Sequence, residues 1–269
     1  MARTLAEQSQ PSHIPPNLSL AETHAHTTAS DGMVSAAELV QAAADRGIRV
    51  LCITDHDTLG ITKEAVALGK KLGVDVVSGQ EITTVMPPGI HIIGLFLERP
   101  IRMWMPLEDT VQAIHDQGGL AIIVHPFMPT WFASITPSGL KKLLATHHVD
   151  GIELRHTAPV LPGTWEKLDT FFAEHRSKIT SSLGASDTHF GKHDIGRWLT
   201  AFPGTTAEDF RKAVEQGLTT PFHGVEPPKP SVFLRLAQQY RSMIWLTRRR
   251  RRGEVGRGVG PKVGRSLAN

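Results

Sequence analysis

Nine side chains of the types that bind metal ions stand at the ends of short apolar segments of this 269-residue chain. His24 and His26 are two residues apart, and on a β-strand this spacing points both imidazoles to the same side. Asp187 and His189 repeat the spacing near the other end of the chain. The other five residues are Asp31, His56, Glu81, His91 and His125. Because imidazoles and carboxylates bind zinc, manganese or ferrous iron, the pattern predicts a metal centre.

The apolar segments before these residues predict short buried strands that alternate with helices. Residues 49–54 form one such segment, bounded by turn-forming residues. Ser35 begins a predicted helix in which Glu38 completes a capping box, and Thr205 with Glu208 predicts a second capping box later in the chain. This alternation is typical of βαβ units and predicts an α/β fold with a mostly parallel sheet.

The position of the reactive residues after the strands favours a closed barrel over an open sheet. In α/β barrels, reactive side chains collect on the rim formed by the carboxyl ends of the strands. The sequence contains no glycine-rich phosphate-binding loop or dinucleotide-binding fingerprint. We therefore predict a barrel of about seven strand–helix units with a single site on that rim.

The composition is typical of a soluble globular protein. The hydrophobic content is 40%, and no apolar segment approaches the roughly 20 residues that span a bilayer. Residues 1–17 are polar and lack the apolar centre of a signal peptide, so we expect a disordered leader and a cytoplasmic protein. Cys52 lies within an apolar segment and is expected to be a packed core thiol.

Basic residues are concentrated near the C-terminus. From Arg248 onward the chain has eight basic residues and one acid, whereas the whole chain has 29 basic and 26 acidic residues. The remainder therefore carries a net charge of −4. For residues 225–269 we expect a linker, an amphipathic helix and a flexible basic tail. The five arginines from Arg248 to Arg252 would be solvated, attract nucleic acid or bind an anionic membrane surface.

Several motifs resemble those of the polymerase-and-histidinol-phosphatase (PHP) domain family, in the family's order, over residues 18–224. The matching segments are THAHTTASDG from Thr23, ITDHDTLGI from Ile53, GQEIT from Gly79, IHIIGL from Ile90, VHPF from Val124, GIEL from Gly151 and ASDTH from Ala185. The resemblance implies a distorted (β/α)7 TIM-like barrel with the metal site at the C-terminal ends of the strands. It also implies two or three divalent ions of manganese, zinc or iron as cofactors.

The resemblance further implies how the nine residues divide among three ions. The first ion takes His24, His26, Glu81 and Asp187, the second takes Glu81, His91 and His125, and the third takes Asp31, His56 and His189. Glu81 would then bridge two ions. Asp31 stands where some members have histidine, and a harder oxygen ligand would shift that site toward manganese or weaken it.

Such a cluster implies hydrolysis of a phosphoester by a metal-activated hydroxide. Asp55 and Asp57 flank one of the histidines, and we expect them to orient ligands, to assist proton transfer or to stabilise the turn. Arg155 follows a predicted strand at the same rim, and Arg197 lies in a later loop. Each arginine would bind phosphate oxygens of the substrate or form a surface ion pair.

We therefore predict a metal-dependent phosphoesterase that hydrolyses a phosphomonoester of a small metabolite or nucleotide. One alternative is a 5′–3′ exonuclease that acts on RNA or DNA with the same ions. Another is a non-catalytic scaffold or nucleic-acid-binding module. Some relatives cover the site with a long insertion between the positions of His91 and His125, and the short connection in this chain predicts a more open pocket.

Overall fold

The computed structural model describes residues 17–85, 89–129 and 133–262, and its nine β-strands form one curved sheet. The strands are β1 (Leu18–Glu22), β2 (Val50–Ile53), β3 (Asp75–Thr83), β4 (His91–Leu95), β5 (Leu120–Ile123), β6 (Val149–His156), β7 (Ile179–Ala185), β8 (Trp198–Pro203) and β9 (Thr220–His223). The helices are α1 (Ala36–Asp45), α2 (Lys63–Leu72), α3 (Leu107–His115), α4 (Pro137–Thr146), α5 (Thr164–Glu174), α6 (Ala207–Glu215), α7 (Val232–Tyr240) and α8 (Thr247–Arg252). None of the helices within these ranges has the length and apolarity needed to cross a membrane.

The strand order in the sheet is β7-β6-β5-β4-β3-β2-β1-β8-β9. Parallel pairing joins β1, β2 and β3, and it also joins β5, β6 and β7. β4 is antiparallel to both of its neighbours, and β8 is antiparallel to β1 and β9. The predicted α/β barrel is confirmed, but the expected strand number and mostly parallel pairing are wrong. The sequence did not predict β8, a short strand that ends in a proline, which is uncommon in strands.

Side-chain hydrogen bonds bring β7 against β8 and β9 and nearly close the barrel. The Thr200 hydroxyl donates to the carbonyl oxygen of Gly184 (2.9 Å), and the Gly184 N–H donates back to that hydroxyl (3.1 Å). The Thr219 hydroxyl donates to the carbonyl oxygen of Ser182 (2.8 Å). A Cβ atom at position 184 would lie 2.4 Å from the carbonyl oxygen of Leu199, so this approach requires glycine.

Alternate residues of each strand separate the barrel interior from the layer beneath the helices. Val50 and Cys52 of β2 pack in the interior with Phe210 of α6. Leu51 and Ile53 pack instead in the cluster that β1 and β2 form with α1. Cys52 is a buried free thiol, as the sequence predicted. Side chains alternate between the two faces of a strand. The packing of each strand therefore fixes the direction in which its last side chain points.

Capping interactions set the starts of the helices that follow the strands. The Ser35 hydroxyl accepts from the Glu38 N–H (3.2 Å), and the Glu38 carboxylate accepts from the Ser35 N–H (2.7 Å), which confirms the predicted capping box of α1. The second box, predicted at Thr205, is wrong by one residue. Thr206 caps α6 with Asp209, because that carboxylate accepts from the backbone N–H groups of both threonines.

Residues 226–262, which we name the C-terminal arm, extend from the last strand back to the carboxyl-end rim of the barrel. α7 continues through a π-helical turn (Arg241–Leu246) into α8. Gly253 ends this helix in the left-handed region, with φ of 65°. The arm therefore contains one nearly continuous helix that begins where a helix was predicted and includes the run of arginines.

Backbone hydrogen bonds fix the segment after α8 to the barrel. The Gly256 N–H donates to the carbonyl oxygen of Asp57 (2.7 Å), and Val259 forms an isolated parallel bridge with Ile101. Over the described residues, the segment expected to be a flexible tail is helical as far as Arg252 and hydrogen-bonded to the barrel beyond it. Most of the predicted leader, residues 1–17, and the end of the predicted tail, residues 263–269, lie outside the described residues.

Candidate metal centre

The carboxylate of Glu81 lies at the centre of the nine residues that the sequence singled out. Its Oε1 is 2.8 Å from Nδ1 of His91 and 3.1 Å from Nε2 of His125. Its Oε2 is 3.2 Å from Nε2 of His24 and 3.3 Å from Nε2 of His26. The two oxygens of one buried carboxylate therefore face two separate sets of imidazoles.

A further set of side chains surrounds Asp31. The Asp31 carboxylate is 3.4 Å from Nε2 of His189 and 3.8 Å from Nε2 of His56. The ring of His189 stacks on that of His26 with centroids 4.2 Å apart, which joins this set to the first two. Oδ1 of Asp187 is 3.3 Å from Nε2 of His26. All nine residues thus converge at one end of the barrel.

The cluster contains four overlapping groups whose possible ligand atoms lie within 4.8 Å of one another. The groups are His24, His26 and Asp187; His24, Glu81 and His125; His56, Glu81 and His91; and His26, Asp31, His56 and His189. Every residue of the set is present in at least one group. The grouping differs in part from the division that the family resemblance implied, because His91 and His125 fall in different groups and His26 joins Asp31, His56 and His189. The division among three ions therefore stays a prediction.

Several imidazole nitrogens of the cluster are buried and have no hydrogen-bond partner among the described residues. They are Nε2 of His24, both ring nitrogens of His26, Nδ1 of His56 and Nδ1 of His125. A buried polar atom without a partner costs free energy, and a bound cation would use such lone pairs. The residues therefore fit divalent metal ions of the kinds that imidazole and carboxylate bind together.

Unusual backbone conformations turn the chain inward at two strand exits. His125 and Asp187 follow β5 and β7 and have φ of 29° and 51°, and Asp57 has φ of 54°. Residues other than glycine adopt this left-handed region rarely and mainly where the surrounding structure fixes them. An isolated parallel bridge between Ala25 and Thr188 also holds two of the exits together. The backbone is thus shaped to aim the side chains of His125 and Asp187 into the cluster.

The packed acids and imidazoles shift one another's pKa values. Burial alone would raise the pKa of Glu81, but the imidazoles of His56 and His91 hold the pKa of that carboxyl well below its usual range. Burial alone would lower the pKa of His189, but the carboxylate of Asp31 raises it to about 10. Burial lowers the pKa of His56 to about 3, so this imidazole keeps a free lone pair at neutral pH.

The carboxylate of Glu153, outside the set of nine, and the backbone carbonyl of Asp187 orient two imidazoles of the set. Oε1 of Glu153 is 2.9 Å from Nδ1 of His24, and Oε2 accepts from the backbone N–H of His125 (2.6 Å). The carbonyl oxygen of Asp187 is 3.0 Å from Nδ1 of His189. In His24 and His189, the other ring nitrogen, Nε2, is left to face the cluster, as in many metal sites. Glu153 was not among the predicted site residues, although an acidic residue inside an apolar strand indicates a functional position.

Asp55 and Asp57 lie behind the cluster and hold the loops that carry it. The Asp55 carboxylate accepts from the Thr27 N–H (2.8 Å) and the Ser30 hydroxyl (2.6 Å). The Asp57 carboxylate accepts from the Thr83 N–H (2.8 Å). These contacts are compatible with the predicted orienting role and with the alternative role of stabilising the turn.

Arg155 forms an ion pair with a residue of α5, which is the alternative to substrate binding that the sequence left open. The register of β6 on β7 shifts between Glu153 and Arg155, where a bulge breaks the normal alternation. Arg155 therefore faces α5 and pairs with Asp169 at 2.8 Å, as the alternative reading of a surface ion pair expected. His156 points inward instead, only 2% exposed, with its ring centroid 6.4 Å from that of His125.

Arg197, the other arginine predicted to bind phosphate, is also engaged elsewhere. Its Nε is 2.8 Å from Oε1 of Glu226, and both side chains are largely exposed. Arg197 lies just before β8, whose pairing with β1 and β9 was not predicted. Among the described contacts, the guanidinium forms no ion pair with the nine cluster residues, and its role in binding a substrate phosphate stays a prediction.

The C-terminal arm borders the cluster, which the sequence did not predict. Nε of Arg250 donates to Oδ2 of Asp57 (2.7 Å), and Arg249 donates to the carbonyl oxygen of Ala29 (2.6 Å). The side-chain amide of Gln238 donates to Asp31 itself (3.3 Å). The arm therefore occupies one side of the rim next to Asp31.

Comparison with known proteins agrees with this geometry. The PHP domain model matches residues 22–219, and the chain therefore belongs to the PHP domain family. A two-domain protein of Bacteroides vulgatus, said to contain a predicted PHP-like metal-dependent phosphoesterase, has the same fold with a TM-score of 0.63. The two chains are 20% identical, and the match covers 80% of this chain and 69% of the other.

Two relatives are hydrolases of phosphoester bonds by name. A 5′–3′ exoribonuclease of Haemophilus influenzae is 35% identical over 102 residues, which cover 38% of this chain and 37% of the relative. A phosphoribosyl 1,2-cyclic phosphate 1,2-diphosphodiesterase of Eggerthella lenta is 38% identical over 80 residues, which cover 29% and 30%. The chain thus spans about a third of the length of these relatives. At the level of the family, the prediction of a metal-dependent phosphoesterase is confirmed.

Proposed function

We propose that this PHP-family chain hydrolyses a phosphomonoester of a small metabolite or nucleotide with the help of divalent metal ions. The observation that carries the proposal is the convergence of nine imidazole and carboxylate groups, with Glu81 at their centre. A protein that served only as a scaffold would have no need for buried, unpaired ring nitrogens that face a cluster of carboxylates.

The residues that would hold the ions follow from the contacts. Glu81 would bridge, with Oε1 toward His91 and His125 and Oε2 toward His24 and His26. Asp187 would join His24 and His26 in the set that Oε2 faces. A third set would comprise Asp31, His56 and His189. Bound ions of this kind neutralise phosphoryl oxygens and lower the pKa of a water nucleophile.

The protein itself supplies orientation. Glu153 holds His24 through Nδ1 at 2.9 Å, and the carbonyl oxygen of Asp187 holds His189 through Nδ1 at 3.0 Å. Asp55 and Asp57 would act as positioning residues, because their contacts are with loops that carry cluster residues. Partners of this type keep ligands in the geometry that metal binding requires and raise ligand basicity.

Limited access to the cluster favours a terminal phosphate. Asp187 is the most exposed of the nine residues, at 21% of its side chain, followed by His91 and His189 at 16% each. A terminal phosphoryl group has one ester substituent and needs only a narrow opening. An internal phosphodiester has substituents on both sides, and the arm borders the opening near Asp31.

A 5′–3′ exonuclease is the second candidate. The exoribonuclease name of the Haemophilus relative favours it, and so do the exposed arginines of the arm beside the site. The end of a nucleic acid would also bring a terminal phosphate to the opening. The arginines would add a salt-sensitive attraction to the phosphate backbone.

The test compares substrate classes on one preparation. The chain would be purified without chelator, its metal content measured, and hydrolysis followed with manganese added. The substrates are p-nitrophenyl phosphate, bis-p-nitrophenyl phosphate, a panel of phosphorylated metabolites and nucleotides, and end-labelled oligonucleotides. Faster turnover of monoesters supports the proposal, whereas preference for oligonucleotides that declines with salt supports the exonuclease.

Three variants connect any activity to the cluster. His26→Ala and Asp187→Ala are expected to abolish hydrolysis, while His148→Ala, at an exposed position remote from the cluster, retains it. Near-normal turnover by either cluster variant would refute the proposed site. Full metal loading without hydrolysis of any phosphoester would support the scaffold alternative.

A further inference from the structure

The C-terminal arm presents a row of large apolar side chains to solvent. These are Val232, Phe233, Leu236, Tyr240, Met243 and Ile244, of which Phe233 is 85% exposed. Phe233, Leu236, Tyr240 and Ile244 follow one another at intervals of three or four residues, so they share one side of the helix. We name the six residues Val232, Phe233, Leu236, Tyr240, Met243 and Ile244 the apolar stripe.

The opposite side of the same helix faces the barrel, mainly through polar contacts, although Leu246 is also buried there. Gln238 donates to Asp31, and Arg241 donates to the carbonyl oxygens of Thr28 and Ser30 at 2.9 Å each. A surface helix normally turns its apolar side to the core and its polar side to water. This helix is reversed, and its hydrogen bonds to the barrel fix the apolar stripe outward.

Arginines extend the outward side toward the end of the helix. Arg248 follows Ile244 by four residues, and Arg248, Arg251 and Arg252 are all exposed. Arg249 and Arg250, in contrast, are partly buried in contacts with Ala29 and Asp57. The arginine run therefore divides in two, with one part bound to the barrel and one part next to the apolar stripe.

We propose that this outward side of the arm docks on an anionic lipid surface. An apolar row inserts at the boundary between headgroups and acyl chains, and adjacent arginines bind anionic headgroups. The sequence outside the tail has a net charge of −4, so the arm is the part that such a surface would attract.

The two other possible partners match only half of this surface. A nucleic acid would pair with the arginines and leave the apolar stripe in water. A second copy that packed arm against arm would cover the stripe but offer few acids to the arginines, because the arm contains only Glu226 and Glu254. Those two acids already pair with Arg197 and Arg249. An anionic lipid surface satisfies both the apolar and the basic side chains.

The test is co-sedimentation of the full chain with vesicles. Vesicles of phosphatidylcholine with phosphatidylserine are expected to bind the protein, and vesicles of phosphatidylcholine alone to bind it much less. Phe233→Ser/Leu236→Ser is expected to reduce binding at least about tenfold. Arg248→Gln/Arg251→Gln is expected to reduce it about fivefold for each arginine removed.

Matched variants on other surfaces control for general effects. Leu161→Ser/Leu218→Ser removes two exposed apolar residues elsewhere, and Lys70→Gln/Lys71→Gln removes two exposed charges of α2. Both are expected to bind vesicles as the parent does. An unchanged metal content in all variants shows that the barrel is folded.

Three outcomes would overturn the proposal. The first is no binding to phosphatidylserine vesicles, or equal loss of binding in the control variants. The second is tight binding of an oligonucleotide that depends on Arg248 and Arg251 while vesicle binding is absent. The third is a dimer, seen by analytical ultracentrifugation without lipid, that Phe233→Ser/Leu236→Ser dissociates.

Discussion

Arg250 of the C-terminal arm and Asp57 of the loop after β2 form a partly buried ion pair, with Nε of the arginine 2.7 Å from Oδ2 of the aspartate. The two residues are 193 positions apart in the sequence. Asp57 is adjacent to His56 of the cluster and also accepts from the N–H of Thr83 (2.8 Å). The arm therefore contributes directly to the support of the candidate metal centre.

Arg250→Ala is expected to lower the free energy of unfolding by up to about 3 kcal/mol, because it leaves the buried Asp57 carboxylate without its charged partner. It is also expected to lower kcat/KM, since Asp57 supports the loop of His56. Arg252→Ala is the matched control, because that side chain is 73% exposed. Urea unfolding and steady-state kinetics measure both effects, and equal stability of the two variants would contradict the role of the ion pair.

Glu153→Gln is expected to weaken metal binding about 10- to 100-fold. The amide keeps the shape of the side chain but removes the negative charge at 2.9 Å from Nδ1 of His24. Competition with a metal-binding dye measures the affinity. Glu166→Gln, at an exposed position of α5, should bind metal as the parent does. If both variants have the parent's affinity, Glu153 has no orienting role.

Glu81→Gln is expected to lower the metal content by more than one ion. Its two carboxylate oxygens face different imidazole sets, so loss of the charge affects both. His189→Ala should lower the content by no more than one ion, because that residue belongs to the set around Asp31. Elemental analysis after gel filtration gives both numbers. Full loading of the Glu81 variant would exclude a bridging role.

Arg155→Ala is expected to leave kcat/KM within about twofold and to cost about 0–1 kcal/mol of stability, as for exposed ion pairs. His156→Ala, one position later, is expected to lower kcat/KM about tenfold, since this buried ring packs edge-on beside His125 with centroids 6.4 Å apart. The two variants together test the bulge in β6. Without the bulge, normal alternation would point Arg155 toward the cluster and His156 toward α5. The opposite result in the kinetic assay would mean that Arg155 faces the substrate.

Gly60→Ala is expected to disturb the loop that carries Asp31. A Cβ atom at position 60 would lie 1.6 Å from Oδ2 of Asp55, so that carboxylate has to move. Asp55 holds the Thr27 N–H and the Ser30 hydroxyl, and these bonds would weaken. Thermal unfolding should occur at a lower temperature and metal content should fall. A variant with the parent's Tm and metal content would show that the loop tolerates the displacement.

The sequence was sufficient to predict which residues converge, because each lies next to an apolar strand or in a loop at the same end of the barrel. His24 and Asp187 are examples, separated by most of the chain and yet 3.4 Å apart through Nε2 and Oδ1. Strand alternation and the rim of an α/β barrel give this result without knowledge of the full topology.

The features that the sequence did not predict depend on local irregularity or on long-range contacts. The side to which Arg155 points depends on a one-residue bulge, which the residue pattern of β6 does not encode clearly. The position of Arg250 depends on how the arm returns to the barrel from the last strand. A run of arginines is equally compatible with a solvated tail, and only the contacts of the folded chain divide it into inward and outward members.

The strands that close the barrel against β7 are the last strands of the sheet to be synthesised. All nine cluster residues, from His24 to His189, leave the ribosome before β8 and β9 do. β1 obtains its second neighbour only when β8 arrives, and Gly184 obtains its contact with Thr200 at the same moment. The nascent polypeptide therefore contains every cation-binding group for some time before the ring that arranges those groups can close.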